Sequence, residues 1–337
     1  MARLTIHDIA RMAGVSPTSV SFVINDRPGV SDEKREAIKK IIEKTGFQPS
    51  VSASRLVFRR SFNIAIDMQD VGISFGDLFY VSILRGLLEQ SKKYGYNIVF
   101  TEIDEGKNEI ILPNIIRNKD TDGIILLQAP SPSVLASLTE QDIPFVAVDV
   151  HEKDVPYTGI LVDYELASYI STNCLTENGH RKIAFISKGS NPHFYNQTFK
   201  GFCRAVEKYD ISIPPDWIQV TAKDESSAYT CMESILSGQN IPTAVFCAID
   251  SFAFGAIKCA TDHGYRVPED ISFSGIDNVF FADYLSPRLT TIDIDKEQIG
   301  ALAMDMIVQK IANNPVESVT VKSDSLLIRD SVYKIER

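Results

Sequence analysis

Hydrophobic positions recur at helical spacing early in the chain and gather into compact runs thereafter. Ile6, Ile9, Ala10 and Ala13 share one helical face; Thr5 and Asp8 form a capping box ahead of it, and Gly14 offers a left-handed stop. Ser16-Pro17 is an N-cap followed by proline at the first helical position, where a missing N–H does no harm, and predicts a second helix to about Asn25. A third helix is expected from the cap Ser31, with Asp32 and Glu33 at its positive end, Ala37, Ile38, Ile41 and Ile42 buried, and Gly46 closing it. Two helices joined by a three-residue turn containing glycine make a helix-turn-helix pattern.

Beyond Phe62 the period changes. Apolar runs at 64–68, 98–103, 123–127 and 145–150 alternate with helical stretches at 79–95 and 131–140. The cycle restarts at 160–162 and continues through 183–187, 217–221, 244–249 and 271–276; residues 289–294, a helix near 296–313 and a strand-rich 319–329 complete it. Strand and helix in alternation predict an α/β body of two doubly wound parallel-sheet lobes, with helices on both faces of each sheet. In such sheets ligands sit beyond the C-terminal ends of the strands, so a cleft between the lobes is the expected pocket.

Charge divides the chain at the same place. The net charge is −10 overall, but residues 1–60 carry +5 and the remainder −15, a basic head on an acidic body. That asymmetry suggests one segment that meets phosphates and another that does not. Five cysteines share no CxxC spacing, so buried free thiols are expected rather than disulfides or a zinc site, and no metal or cofactor is implied. No apolar run reaches the length of a membrane span, and the charged N-terminal stretch has no apolar leader pattern; a cytoplasmic protein without membrane attachment is expected.

On the second helix Val20, Val23 and Ile24 must face inward, which directs Pro17, Thr18, Ser21 and Phe22 outward. Phe22 is either a packed surface aromatic or a contact for a thymine methyl in the major groove. Thr5, Ser16, Ser19, Ser21, Asn25 and Ser31 bring hydroxyl and amide groups to helix N-termini, a pattern suited to phosphate oxygens. Residues 50–57 are too few and too rich in Ser and Val for a helix stable by itself.

The segment TIHDIARMAGVSPTSVSFVIND, continued by VSDEKREAIKKIIEKTGFQPS, resembles the DNA-binding headpiece of the lactose-repressor/galactose-repressor (LacI/GalR) family of bacterial transcription regulators. DGIILL, IPFVAVD, GHRKIAFIS, IPTAVFCAID, VPEDISFSGIDN, PRLTTI and LLIRDS extend the resemblance to the family's regulatory domain, which is similar to periplasmic sugar-binding proteins. It implies a headpiece at 1–48, a hinge at 49–60 and an effector-binding and dimerisation domain at 61–337. Lobe 1 is expected at about 61–160 plus 292–322, and lobe 2 at about 161–291 plus 323–337. By the same resemblance Pro17, Thr18 and Phe22 face bases, and Ala53 and Leu56 of the hinge enter the minor groove with Leu56 as the wedge. Phe22 stands where the family most often has Arg, so base preference should differ there.

In the cleft, Phe79 and Tyr80 match the family's aromatic pair, and Asp149 and Asp277 its strand-end carboxylates. Three positions depart: Thr198 replaces an arginine, Ile249 an asparagine, and Ile294 a frequently polar residue. Losing those donors favours a neutral sugar or polyol as effector, with a phosphosugar held by Lys188 or His193, or a protein co-regulator, as alternatives. The expected protein is a homodimeric repressor of a palindromic DNA operator, not an enzyme. A GxSxG pattern at 72–76 raises a serine hydrolase using Ser74 only weakly, because His263 lies in a helical pattern rather than at a strand end.

Overall fold

Each of the first three helices has one apolar stripe to bury, and together they close a small core. A computed structural model describes residues 4–24, 28–47, 60–68, 77–106, 110–152 and 154–336. The chain divides into two compact units, 1–62 and 63–337. In the first unit α1 (Ile6–Ala13) buries Ile9 and Ala10, α2 (Pro17–Ile24) buries Val20 and Val23, and α3 (Asp32–Thr45) buries Ile38. Phe47 completes this core, and Ile6, Ala13, Ile24, Ile41 and Ile42 pack around it half-buried. Ala37, expected inside, is exposed. It lies about 100° round the helix from Ile38, outside the stripe that two short partner helices can cover.

The second unit contains two six-stranded sheets. Lobe 1 is built from β1 (Asn63–Asp67), α4 (Leu78–Tyr94), β2 (Asn97–Thr101), the antiparallel pair β3 (Asp104–Glu105) and β4 (Ile110–Ile111), α5 (Asn114–Arg117), β5 (Gly123–Leu126), α6 (Pro132–Glu140), β6 (Phe145–Val150) and β7 (Gly159–Val162). Lobe 2 is built from α7 (Tyr164–Glu177), β8 (Ile183–Ile186), α8 (Pro192–Glu207), β9 (Ile218–Gln219), α9 (Glu225–Leu236), β10 (Ala244–Cys247), α10 (Asp250–Asp262), β11 (Ser272–Asp277) and β12 (Thr290–Asp293). The chain then returns to lobe 1 for α11 (Lys296–Ile311) and β13 (Val319–Val321), and to lobe 2 for β14 (Ser325–Leu327). The return to lobe 1 follows Asp293, so β12 lies whole in lobe 2, past the expected division at 291 and 292.

The sheet orders are β13-β7-β6-β5-β1-β2 and β14-β12-β11-β10-β8-β9, parallel throughout except where β14 pairs antiparallel with β12. The inner strands are buried along their whole length, as helices on both faces require, which is why they read as unbroken apolar runs. Helices also pack directly against one another at close range. On α11 a side chain at Gly300 would stand 2.0 Å from the carbonyl oxygen of Ile83 in α4, and one at Gly86 of α4 would stand 2.0 Å from that of Glu297, so the two backbones touch without intervening side chains. After β11, a single 3₁₀ turn over Phe280–Asp283 exposes Phe280 (64%), Phe281 (52%) and, just beyond it, Tyr284 (70%). Their rings cluster, with Phe280 centroids 5.5 Å from Phe281 and 4.8 Å from Tyr284.

Candidate functional site

The head's outer surface is shaped by how its helices begin. Thr5 Oγ1 accepts from the Asp8 N–H at 3.3 Å and the Thr5 N–H donates to Asp8 Oδ2 at 2.9 Å, the reciprocal cap foreseen for α1. Ser16 Oγ accepts from the Ser19 N–H at 3.1 Å and shares a hydrogen bond with the Ser19 hydroxyl at 2.9 Å, so these two hydroxyls organise the start of α2. Thr18 is exposed; Pro17, Ser19 and Ser21 are half-buried. Ser31 precedes α3 in extended conformation, and its side chain makes no capping bond. Asn25, Ala53, Leu56 and Ser74 lie outside the described residues.

Phe22 is half-buried. Gly29, held at φ +114°, backs onto its ring closely enough that an added Cβ would stand 3.2 Å from the nearest ring carbon. Gly29 therefore lies against Phe22 in a conformation that only glycine adopts without strain. Packing accounts for this aromatic, and the part of its ring left uncovered remains available for contact.

In the body, strand ends aim a cluster of polar groups toward one place. Asp149 sits near the end of β6 with φ +58°, where the register against β7 shifts; this kink sets the direction of its side chain. Its carboxylate accepts from the Tyr80 hydroxyl at 2.9 Å and from the Tyr164 hydroxyl at 3.0 Å. Tyr80 belongs to the first turn of α4, which Asp77 caps by accepting from the Phe79 N–H at 2.9 Å. Tyr164 is the first residue of α7, at the crossing into lobe 2. Burial, and next the Asp149 charge, push both phenols well above their ordinary range, so they stay protonated donors.

Aromatic rings enclose that carboxylate. Phe79 meets Tyr80 edge to face at 5.3 Å, and Phe194 of α8 meets Tyr164 at 4.8 Å. His151 lies against both Tyr164 and Phe194, with its Nε2 3.8 Å from Asp149 Oδ2. Lys188 Nζ stands 4.7 Å above the Phe194 ring, whereas the half-exposed His193 pairs with Glu152 at 2.9 Å. Asp277 ends β11 at φ +115°, buried; burial raises its carboxyl strongly, the charge of Asp250 adds to this, and Lys296 opposes it. Lys296 spends its ammonium on the main-chain carbonyls of Asp277 and Ile294.

Phe79, Tyr80 and Asp149 are thus brought together, and the Asp277 carboxyl feels the charges of Asp149 and Asp77. Thr198 is not part of the group: fully buried, its hydroxyl donates back to the Phe194 carbonyl at 3.0 Å within α8. Ile249 is the half-buried residue before α10, and Ile294 is buried. Sequence reasoning missed Tyr164, His151 and Phe194. His151 two residues after a strand-end aspartate was the one local signal. Among the described residues no group of three or more His, Cys, Asp or Glu is arranged to hold a metal ion, and no helix is long and apolar enough to cross a membrane.

Residues 5–50 match the model for bacterial regulatory proteins of the lacI family, and residues 172–332 match a periplasmic binding protein-like domain. The HTH-type transcriptional repressor PurR of Mannheimia succiniciproducens is 30% identical over 340 residues, covering 98% of this chain and 99% of that protein. The chain belongs to the lacI family. A second lacI-family relative, the ribose operon repressor of Haemophilus influenzae, is 30% identical over 335 residues with 98% and 99% covered. A lac repressor dimer crystallised with operator and the anti-inducer ONPF has the same fold, with a TM-score of 0.82 at 21% identity over 98% of this chain and 100% of that one. This lacI-family protein is accordingly a DNA-binding regulator of transcription, with a helix-turn-helix head and a two-lobed α/β body.

Proposed function

We propose that the protein is a cytoplasmic, homodimeric repressor without catalytic activity, which holds a palindromic operator through residues 1–60 and alters that hold when a neutral sugar or polyol enters the cleft of its body. The carrying observation is the buried Asp149 carboxylate, gripped by two phenols and ringed by Phe79, His151 and Phe194, at the C-terminal ends of parallel strands. Carboxylate oxygens accept from hydroxyls, and aromatic faces cover the apolar side of a sugar ring. Asp77, Asp149 and Asp277 act electrostatically on one another across this region, which disfavours an anionic ligand. Lys188 beside Phe194 is the one feature that supports a phosphosugar instead.

In the head we assign Pro17, Thr18 and the open part of Phe22 to bases, and Thr5, Ser16, Ser19, Ser21 and Ser31 to phosphates. Asn25, and Ala53 and Leu56 of the hinge, take their roles from sequence alone. The aromatic ridge Phe280, Phe281 and Tyr284 is assigned to the second copy, because ring clusters exposed to this degree mark interaction surfaces. A hydrolase has no support here: His263 Nδ1 donates to the Cys259 main-chain carbonyl, 2.9 Å away, at the end of α10.

The test is operator selection from a randomised duplex pool, followed by a salt titration. The full chain should select a palindrome, and affinity should fall steeply with salt as the basic head displaces counterions. Residues 63–337 alone should stay folded and show no DNA binding; retained binding by that fragment overturns the assignment.

A further inference from the structure

One polar atom in the cleft is left unanswered by the folded chain. His151 is 9% exposed, its Nε2 faces Asp149, and its Nδ1 is buried with no hydrogen-bond partner. The ring packs against both Tyr164 and Phe194, at centroid distances of 5.4 and 5.6 Å. The residue follows β6 of lobe 1, yet its main-chain carbonyl accepts from Gln197 Nε2 on α8 of lobe 2. Lobe 2 therefore holds His151 twice, by a main-chain hydrogen bond and by the Phe194 ring.

A neutral imidazole has one N–H and one lone pair. Burial holds the His151 proton affinity down, with Asp149 opposing only in part, so the ring is neutral near pH 7. The Asp149 charge, 3.8 Å from Nε2, favours the tautomer with its N–H on that side and the lone pair on Nδ1. Closing the lobes over that lone pair strips it of water without replacing it, which raises the free energy of the closed arrangement. A ligand that brings a donor to Nδ1 removes this disadvantage, and so binds the closed arrangement better than the open one; such a difference is what shifts an equilibrium.

We propose that His151 contacts the effector, its Nδ1 accepting a hydrogen bond from a ligand hydroxyl or N–H, so that occupancy favours closed lobes. The inference rests on the effector reading given above and names a residue that the family resemblance did not supply. It also sets the ligand's chemistry at this point: a donor must sit at Nδ1, the ring nitrogen that does not face Asp149, and an analogue lacking that hydroxyl must bind less well.

The experiment compares the full-length wild type with His151→Phe, which keeps a flat ring against Tyr164 and Phe194, and with His151→Gln, which restores an acceptor. D-ribose, D-glucose and D-galactose, each with its 2-deoxy analogue, are the probes, read by thermal shift and calorimetry. The Phe variant should melt no lower than wild type without ligand. Its affinity for the sugar that stabilises wild type should fall at least tenfold, with partial recovery in the Gln variant. Equal affinity in wild type and the Phe variant overturns this inference alone. A drop of several degrees in the ligand-free Phe variant does so too, since it marks the imidazole as an already satisfied structural group. If no sugar shifts the wild type while operator binding persists, the sugar reading fails and this inference falls with it.

Discussion

Replacing Asp250 by Asn should change how stability depends on pH, and in a direction opposite to ordinary acid denaturation. Asp250 opens α10 and is fully buried; Oδ1 accepts from the Thr291 hydroxyl at 2.6 Å and Oδ2 from the Val279 N–H at 3.1 Å. Gly275 faces it with no side chain, since a Cβ there would stand 2.2 Å from Oδ1. Burial lifts the Asp250 carboxyl from an ordinary 3.8 to about 7, against its two hydrogen bonds and the opposing charges of Lys296 and Arg329. Because the folded value lies above the unfolded one, folding takes up a proton. The contribution is complete below 3.8 and is lost as pH rises toward 7. Holding the proton up to that range corresponds to about 4 kcal/mol, of which about 2–3 kcal/mol is lost between pH 5 and pH 8.

Asn is nearly isosteric and cannot ionise, so the variant should gain about 2–3 kcal/mol relative to wild type over the same interval, whatever offset its altered hydrogen bonds introduce. Asp277, which feels the Asp250 charge, titrates in both proteins and should move back toward the ordinary range in the variant. Trp217, the chain's single tryptophan, is buried in the same lobe 2 core as Phe252 of α10, so its fluorescence reports this region during urea unfolding. Parallel pH profiles for the two proteins would refute the reasoning and show that Asp250 stays ionised in the fold.

Three other outcomes follow from packing and exposure. Gly300→Ala should destabilise lobe 1 by about 1–3 kcal/mol or more, because the new Cβ meets Ile83 and Leu87 backbone rather than a movable side chain; an unchanged melting temperature would mean α4 and α11 separate freely. Phe22→Arg should change base preference at one position of each half-site in a randomised pool and lower the headpiece melting temperature as the ring leaves Gly29; unaltered selection would place residue 22 off the bases. Phe280→Glu combined with Tyr284→Lys should turn a dimer into monomers in analytical ultracentrifugation and weaken operator binding, and a persistent dimer would move the interface elsewhere.

The α/β plan was legible because strands covered on both faces must be apolar throughout, and residues such as 145–150 show no alternation to confuse the reading. The pair β3 and β4 was not, since two residues per strand carry no period. Tyr80 and Asp149 come from the family resemblance, one in its aromatic pair at a helix start and the other as its strand-end carboxylate. Tyr164 and Phe194 could not be found in the sequence, because what makes them part of the site is the meeting of a lobe crossing with α8, a juxtaposition that no local spacing encodes. Thr198 shows a different limit. The sequence reveals that an arginine is absent there, while the back-bonding to Phe194 that withdraws the threonine from the cleft depends on its depth of burial.

The path of the chain between lobes governs when each part can finish folding during synthesis. The head is complete once Phe47 has been made, with all its contacts local, which favours rapid and independent formation. Lobe 1 must wait far longer: β7 lacks its edge partner until Val319–Val321 exists, and α4 lacks its packing partner until α11 has emerged. Lobe 2 waits in turn for β14 at Ser325–Leu327. A nascent chain of 290 residues thus presents a finished DNA-binding head on a body whose two sheets both have open edges, the kind of intermediate that invites edge-to-edge association. Premature termination there leaves a head able to meet DNA with no body able to answer a ligand.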